Sequence, residues 1–215
     1  KPLLQHTWEN ARAAKVLDEL IIATDDQRIA KVAEGFGAKT VLTAKEHASG
    51  TDRLVEACFS IDAEIIINIQ GDEPLVKPKM IELLADCLLS DKSVSMATIA
   101  KKIDNPDDIQ NPNVVKLVKD RSGFALYFSR SPIPYFRNPE EGVVYKHFGL
   151  YAYTKDFLFT FTRLRKSMLE KTESLEQLRV LENGYKIKVV EVTEDSVAVD
   201  TAEDLQKVRD ILSNQ

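Results

Sequence analysis

Cysteine is scarce in this chain. Its 215 residues hold two, Cys58 and Cys87, each inside an apolar helical pattern. That scarcity excludes a disulfide-stapled secreted scaffold and points to buried free thiols in a reducing compartment. Long apolar runs are also missing: none approaches the roughly 20 residues that cross a bilayer, and no secretory leader is visible. Nor is there an excess of positive charge. With 29 basic against 34 acidic residues the net charge is −5, so no sequence-independent nucleic-acid footprint is expected. Repeats, low-complexity tracts and domain linkers are absent. What remains is a chain 44% hydrophobic and 29% charged, expected to fold as one domain over residues 1–215 and to act in the cytoplasm, with neither nucleic acid nor membrane as partner.

An initial Met is missing as well. The chain opens Lys1-Pro2-Leu3-Leu4 and enters at once a helical pattern carried by Leu3, Leu4, Trp8, Ala11 and Ala14. A helix that leads straight into a buried strand normally follows another strand in a parallel sheet. The expectation is therefore a fragment whose first strand and first loop lie upstream.

Strand and helix signals then alternate. Residues 20–23 read as a strand, and Thr24, Asp25 or Asp26 as the cap of a helix to about Phe36, closed by Gly35 and Gly37. Residues 39–42 form a short strand and 51–59 a helix. In 65–74 a β-branched run reads as a strand buried on both faces, broken at Gly71. Pro78 opens a helix with Met80, Leu83, Leu84, Cys87 and Leu88 on one stripe, and 94–99 is another strand. Beyond Lys101 the pattern turns antiparallel. Residues 114–118 and 124–128 flank a hairpin-like connection, a Pro-rich aromatic segment spans 129–138, and 147–153 is a strand. The last part holds a helix at 175–182 with Ser174 and Gln177 at capping-box spacing, and a strand at 186–192. A final helix at 201–212 has Asp200 and Glu203 at that same spacing. The fold class is α/β: a mixed, mostly parallel Rossmann-like sheet flanked by helices, with an antiparallel insertion at about 113–153.

Two apolar runs end in carboxylates, 65–69 at Asp72 and 197–199 at Asp200. In open α/β sheets the C-terminal strand ends are where ligands bind. Two hard oxygen ligands there suit Mg²⁺ against a triphosphate, and nucleotidyl transfer needs little more than metal, positive charge and a positioned acceptor. Asp200 has a second reading, as the N-cap of the last helix. The stretch Ala48-Ser49-Gly50-Thr51-Asp52-Arg53 opens a helix and suits backbone contact with a nucleotide, or is an ordinary loop and cap.

Several blocks, in order, resemble the 3-deoxy-manno-octulosonate (Kdo) cytidylyltransferase family over essentially the whole chain. Among them are His47-Ala48-Ser49-Gly50-Thr51-Asp52-Arg53, Asn68-Ile69-Gln70-Gly71-Asp72-Glu73-Pro74 and Val199-Asp200-Thr201. Two are highly specific: Tyr127-Phe128-Ser129-Arg130-Ser131-Pro132-Ile133-Pro134 and Glu173-Ser174-Leu175-Glu176-Gln177-Leu178-Arg179. The resemblance implies the reaction of CTP with Kdo to CMP-Kdo and pyrophosphate, with Mg²⁺, for lipopolysaccharide biosynthesis. It implies Asp72 and Asp200 as catalytic metal ligands, and Ser49, Gly50, Thr51, Arg53 and Gln70 on the nucleotide side. Gln70, Arg130, His147, Tyr151, Glu176 and Gln177 would meet the sugar. It also implies a homodimer, formed through the antiparallel block. Each sugar-side residue has a plainer reading as an ion pair, a core aromatic or histidine, or a solvent-facing helix position.

The chain departs from the family in two places. The family begins with a strand and an Arg- and Lys-bearing glycine loop that grips the triphosphate, so a molecule beginning at Lys1 is expected to be poorly active. Residues 195–199 replace a glycine-containing approach, and Ala202 stands where proline is usual. Two other classes stay open: a cytidylyltransferase for another acid sugar such as a sialic acid, and a non-catalytic binding protein on the same fold.

Overall fold

The computed structural model describes residues 1–47, 49–138 and 142–213. Ala48 of the candidate nucleotide loop and residues 139–141 of the antiparallel block lie outside them. Helix α1 (Leu3–Arg12) leads to β1 (Ile21–Thr24), α2 (Gln27–Gly35) and β2 (Lys39–Leu42), with β1 and β2 paired in parallel as a small sheet of their own. Next come α3 (Gly50–Cys58), β3 (Ile65–Asn68), α4 (Pro78–Ser90), β4 (Met96–Lys102) and α5 (Asp107–Gln110). The hairpin β5 (Lys116–Lys119) and β6 (Ala125–Ser129) precedes the long strand β7 (Tyr145–Thr154). Helices α6 (Lys155–Arg163), α7 (Met168–Glu173) and α8 (Gln177–Glu182), strand β8 (Lys188–Val192) and α9 (Ala202–Ser213) complete the order.

Strand β7 organises the six-stranded mixed sheet. It runs antiparallel to β3 and to β4, while β4 and β8 are parallel, so β3, β4 and β8 share one direction. One edge of β7 pairs with β4 along its length. The other pairs with β3 at residues 151–154 and with β5 at 145 and 146, so β3 and β5 part company in between. The cleft opens at that parting.

Alternation along β7 sorts its side chains onto two layers, as a period of two requires. Phe148, Leu150 and Ala152 join Met80, Ile81, Leu84 and Leu88 of α4 in one core. Tyr153 joins Phe157, Leu158 and Phe161 of α6 and Leu178 of α8 in the other. Each fully buried Leu or Phe contributes roughly 1.5–3 kcal/mol.

Several elements differ from the sequence expectation. In β3 only Ile66 is buried; Ile65 and Ile67 are half-buried beside an apolar recess lined by Ile21, Ala23 and Leu54. Residues 197–199 form no strand. Of the three candidate caps of α2 it is Asp26 that serves, its Oδ1 accepting from Arg28 N at 2.7 Å. Ser174 and Gln177 form no capping box. Ser174 ends α7 in the left-handed region at φ 52°, whereas an N-cap needs extended backbone; the box forms one helix earlier, between Ser167 and Glu170. Helices α6 and α7 occupy residues for which the sequence reading proposed no element. Thr154 caps α6, with Phe157, Leu158 and Phe161 on its buried face. Both thiols are free, Cys58 buried and Cys87 half-buried. Among the described residues, no helix is long and apolar enough to cross a membrane.

Candidate active site

The turn after β3 is fixed from two sides. On one, α1 delivers Thr7, whose hydroxyl donates to Gly71 O at 3.0 Å, and Asn10, whose amide donates to Pro74 O at 2.7 Å. A Cβ on Gly71 would stand 3.3 Å from Leu4 of that helix, a tight contact that glycine avoids. On the other side lies the connection from β8 to α9. Val199 N–H donates to Asp72 O at 2.9 Å, and Ser196 Oγ donates to the buried Glu73 carboxyl at 2.7 Å. Two distant segments are thus stitched into one rim, and Asp200 follows the stitch directly.

Electrostatics mark the rim as short of positive charge. Burial pushes the Asp72 carboxyl up, and the Asp200 carboxylate adds to the rise. Burial raises Glu73 as well, with Asp72 and Asp200 as its acidic neighbours. The helix-cap reading of Asp200 fails, because Thr201 does that work: its hydroxyl accepts from Asp204 N at 3.2 Å, and its own N–H donates to Asp204 at 3.1 Å. Among the described residues, no three His, Cys, Asp or Glu side chains converge to hold a metal. The donor set is two carboxylates on one rim, which fits Mg²⁺, an ion that keeps waters and takes phosphate oxygens as its remaining ligands.

A cavity of about 860 Å³ extends from this rim across the parting of β3 and β5. Gln70, Asp72, Arg130, His147, Tyr151, Glu176, Gln177 and Asp200 all line it. Gly149, between His147 and Tyr151 on β7, leaves the floor between them without a side chain. His147 Nε2 lies 2.9 Å from Thr98 Oγ1, whose single proton goes to Leu150 O at 2.8 Å. That network assigns the Nε2–H tautomer, donating to Thr98, and leaves Nδ1 as an acceptor. Desolvation pushes the imidazole down to about 3, so it is neutral near pH 7. The rings of Phe128, His147, Tyr151 and Tyr153 follow one another at centroid separations of 5.1, 5.4 and 6.0 Å.

Arg130 is not a surface ion pair. Its guanidinium donates to carbonyls, Nε to Glu173 O at 2.8 Å and Nη1 to Pro112 O at 3.1 Å. The Glu173 carboxylate instead takes the Arg130 backbone N–H at 3.0 Å and the Ser129 hydroxyl at 2.7 Å. Glu176 accepts from Thr51 at 2.5 Å and from Arg179 at 3.3 Å, and Gln177 is buried. The Ser49 hydroxyl caps α3, accepting from Asp52 N at 3.2 Å, and Arg53 is held by Thr43 and, at 3.4 Å, by Asp25. Ser49, Gly50, Thr51 and Arg53 lie outside the cavity, joined to it by the Thr51–Glu176 bond.

Sequence reasoning missed Glu73, Ser196 and Lys146. Glu73 sits beside Asp72 in the quoted block, but sequence does not say that one carboxylate faces the cleft and the next turns inward. Lys146 reaches Asp195 at 2.5 Å across the cavity mouth, a pairing of residues from two different strand–loop segments that no local motif announces.

Comparison with known sequences decides the lineage. The sequence model of the cytidylyltransferase family matches residues 1–187. The chain belongs to that family. Within it, the chain is 48% identical over 99% of its length to the 3-deoxy-manno-octulosonate cytidylyltransferase of Geobacter metallireducens, covering 88% of that protein. It is 50% identical over its full length to the enzyme of that name from Chloroherpeton thalassium, covering 89%. A solved structure of CMP:2-keto-3-deoxy-manno-octonic acid synthetase complexed with CTP superposes at a TM-score of 0.95. That protein is 41% identical, with 100% of this chain and 88% of that chain covered. The cleft described above is therefore the candidate active site of a Kdo cytidylyltransferase.

Proposed function

We propose that this cleft carries out transfer of CMP from CTP to Kdo, with Asp72 and Asp200 as the metal-holding pair. The observation that carries the assignment is the stitch between Val199 and Asp72, which puts two carboxylates from distant segments on one rim. The acceptor oxygen of the sugar bonds to the α-phosphorus of CTP, and the bond from that phosphorus to the departing pyrophosphate breaks. Mg²⁺ held by Asp72, Asp200 and phosphate oxygens would supply positive charge where negative charge grows. The residues of the chain hold the partners. Arg130 offers the sugar carboxylate a cation, while neutral His147, Tyr151, Glu176 and Gln177 offer its hydroxyls hydrogen-bonding groups. Ser49, Gly50, Thr51, Arg53 and Gln70 are assigned to the nucleotide side, joined to the sugar side through Thr51 and Glu176. The test is pyrophosphate release with each of the four nucleoside triphosphates and Kdo, with and without Mg²⁺. CTP is expected to be preferred; equal turnover with ATP or GTP, or full activity after chelation, overturns the reading. Equal turnover with a sialic acid in place of Kdo would move the specificity to another acid sugar.

The same reading makes the protein a homodimer of the cytoplasm, where CTP is available and free thiols persist. Tyr135 is 91% exposed and Leu126 61% exposed on the antiparallel block, more apolar surface than a monomer usually leaves bare. Sedimentation is expected to give a dimer at micromolar concentration that Tyr135→Asp and Leu126→Asp weaken. A monomer at that concentration removes the proposal.

A further inference from the structure

Lys116, on β5, is fully buried, yet its three ammonium protons all find partners. Nζ donates to Asn111 O at 2.8 Å, Val114 O at 2.6 Å and Arg130 O at 2.6 Å. All three acceptors are backbone carbonyls, so the charge is satisfied by hydrogen bonds without a carboxylate among those partners. A buried charge is otherwise costly, and an aliphatic side chain would pack beside Leu117 without needing three acceptors. The carbonyls come from the two segments that flank the cleft wall: the turn entering β5 and the exit from β6. Arg130 carries the linkage further through its own bonds to Pro112 O and Glu173 O. Asn111, Val114 and Arg130 all line the cavity.

We propose that Lys116 is the positioning residue of the acid-sugar wall: its ammonium pins the Asn111 to Val114 turn to the backbone of Arg130 and so sets where the Arg130 guanidinium stands. The inference rests on the assignment of Arg130 to the sugar carboxylate. Apolar truncation leaves three carbonyls without their donor, frees the turn from the β6 exit and lets the guanidinium drift. The acid sugar then loses affinity while the nucleotide, held elsewhere, does not.

Steady-state kinetics on the active enzyme with Kdo and CTP varied separately tests this. Lys116→Met keeps the length and removes the donors; Lys116→Gln keeps an N–H group and serves if the Met variant does not fold. The expected result is a Kdo KM raised about tenfold or more in Lys116→Met and less in Lys116→Gln, with the CTP KM within about twofold. A merely structural lysine lowers the melting temperature and leaves both constants unchanged or moves them together; either outcome in a folded variant overturns the proposal. Arg130→Gln separates the underlying assignment. If its Kdo KM stays at the wild-type value, the sugar carboxylate does not sit at this wall, and the role of Lys116 falls with that placement rather than by its own failure.

Discussion

The acidic rim at Asp72 and Asp200 and the basic wall at Arg130, with Lys116 buried behind it, bound the same cavity, yet they handle charge in opposite ways. At the wall, the ammonium of buried Lys116 has all three protons on carbonyl oxygens, and carbonyls also hold the half-buried Arg130 guanidinium in place. At the rim, burial raises the Asp72 carboxyl and the Asp200 carboxylate adds to that rise, and the turn is held by backbone and by Thr7, Asn10 and Ser196. A scaffold that fixes the backbone while leaving the carboxylates in mutual repulsion is poised to take up a cation. A scaffold in which a buried ammonium is satisfied by backbone carbonyls holds a shape, and here that shape places the Arg130 guanidinium at the cavity. The rim is therefore expected to answer to substitution in turnover, and the wall in substrate affinity.

The strongest way to break that contrast is at the carboxylates. Asp72→Asn and Asp200→Asn each keep size and hydrogen-bonding capacity but remove a carboxylate from the proposed metal-holding pair. Each is expected to lower kcat by two or more orders of magnitude, about 3 kcal/mol or more of lost transition-state stabilisation. The double variant is expected to be scarcely worse than either single one, since residues acting as a unit are not additive. A folded Asp200→Asn enzyme of near-normal turnover would leave Asp72 without its partner and end the two-carboxylate reading.

Much of this molecule is legible in its sequence, for identifiable reasons. Residues 39–42 and the turn at Gly123 (φ 78°) obey local rules, and β2 and the β5–β6 hairpin form where those rules place them. The failures cluster where tertiary context chose among equally good local signals. Ser174 with Gln177 and Ser167 with Glu170 both satisfy capping-box spacing, but only the second pair has extended backbone at the cap. Asp200 with Glu203 and Thr201 with Asp204 differ by one residue, and the stitch at Val199 settles the register in favour of the second. In α6 the apolar residues Phe157, Leu158, Phe159 and Phe161 crowd into five positions without a clean helical stripe, and α7 is six residues long, too short to show a period. As for the site, motif blocks locate Asp72, Arg130 and His147. The burial of Lys116 inside an apolar strand run, and the inward turn of Glu73, are products of the assembled sheet.

A finer probe of the wall is His147, whose folded-state imidazole is pushed down to about 3 by desolvation, against an ordinary value near 6.5. The sign follows from linkage. A proton binds the unfolded chain more readily than the folded one, so the contribution of neutral His147 is fully present above about pH 6.5 and is lost as pH falls toward 3. The loss is at most about 1.4 kcal/mol per pH unit. His147→Gln, which keeps a donor for Thr98, is expected to lose stability less steeply between pH 6.5 and 5 in denaturant titrations. Identical slopes would mean that the ring titrates normally, and that the wall is wetter than its packing against Phe128 and Tyr151 implies.

The smallest expected effect separates structure from chemistry at neighbouring residues. Thr201 caps α9 through its hydroxyl, which accepts from Asp204 N, and its own N–H and hydroxyl donate back to the Asp204 carboxylate, while Asp200, one position earlier, lines the cavity. Thr201→Ala removes the cap alone and is expected to cost about 1 kcal/mol of stability. Turnover should fall by much less than in Asp200→Asn, because the stitch through Val199 N and Ser196 fixes the approach to Asp200 independently of the helix start. Chemical denaturation and kcat at saturating CTP and Kdo, measured on the two variants side by side, give a crossed pattern. Thr201→Ala should be the less stable and more active protein, Asp200→Asn the more stable and less active one. If Thr201→Ala instead loses turnover as severely as Asp200→Asn, the metal-holding geometry depends on the start of α9, and the rim is held by the helix rather than by its backbone stitch.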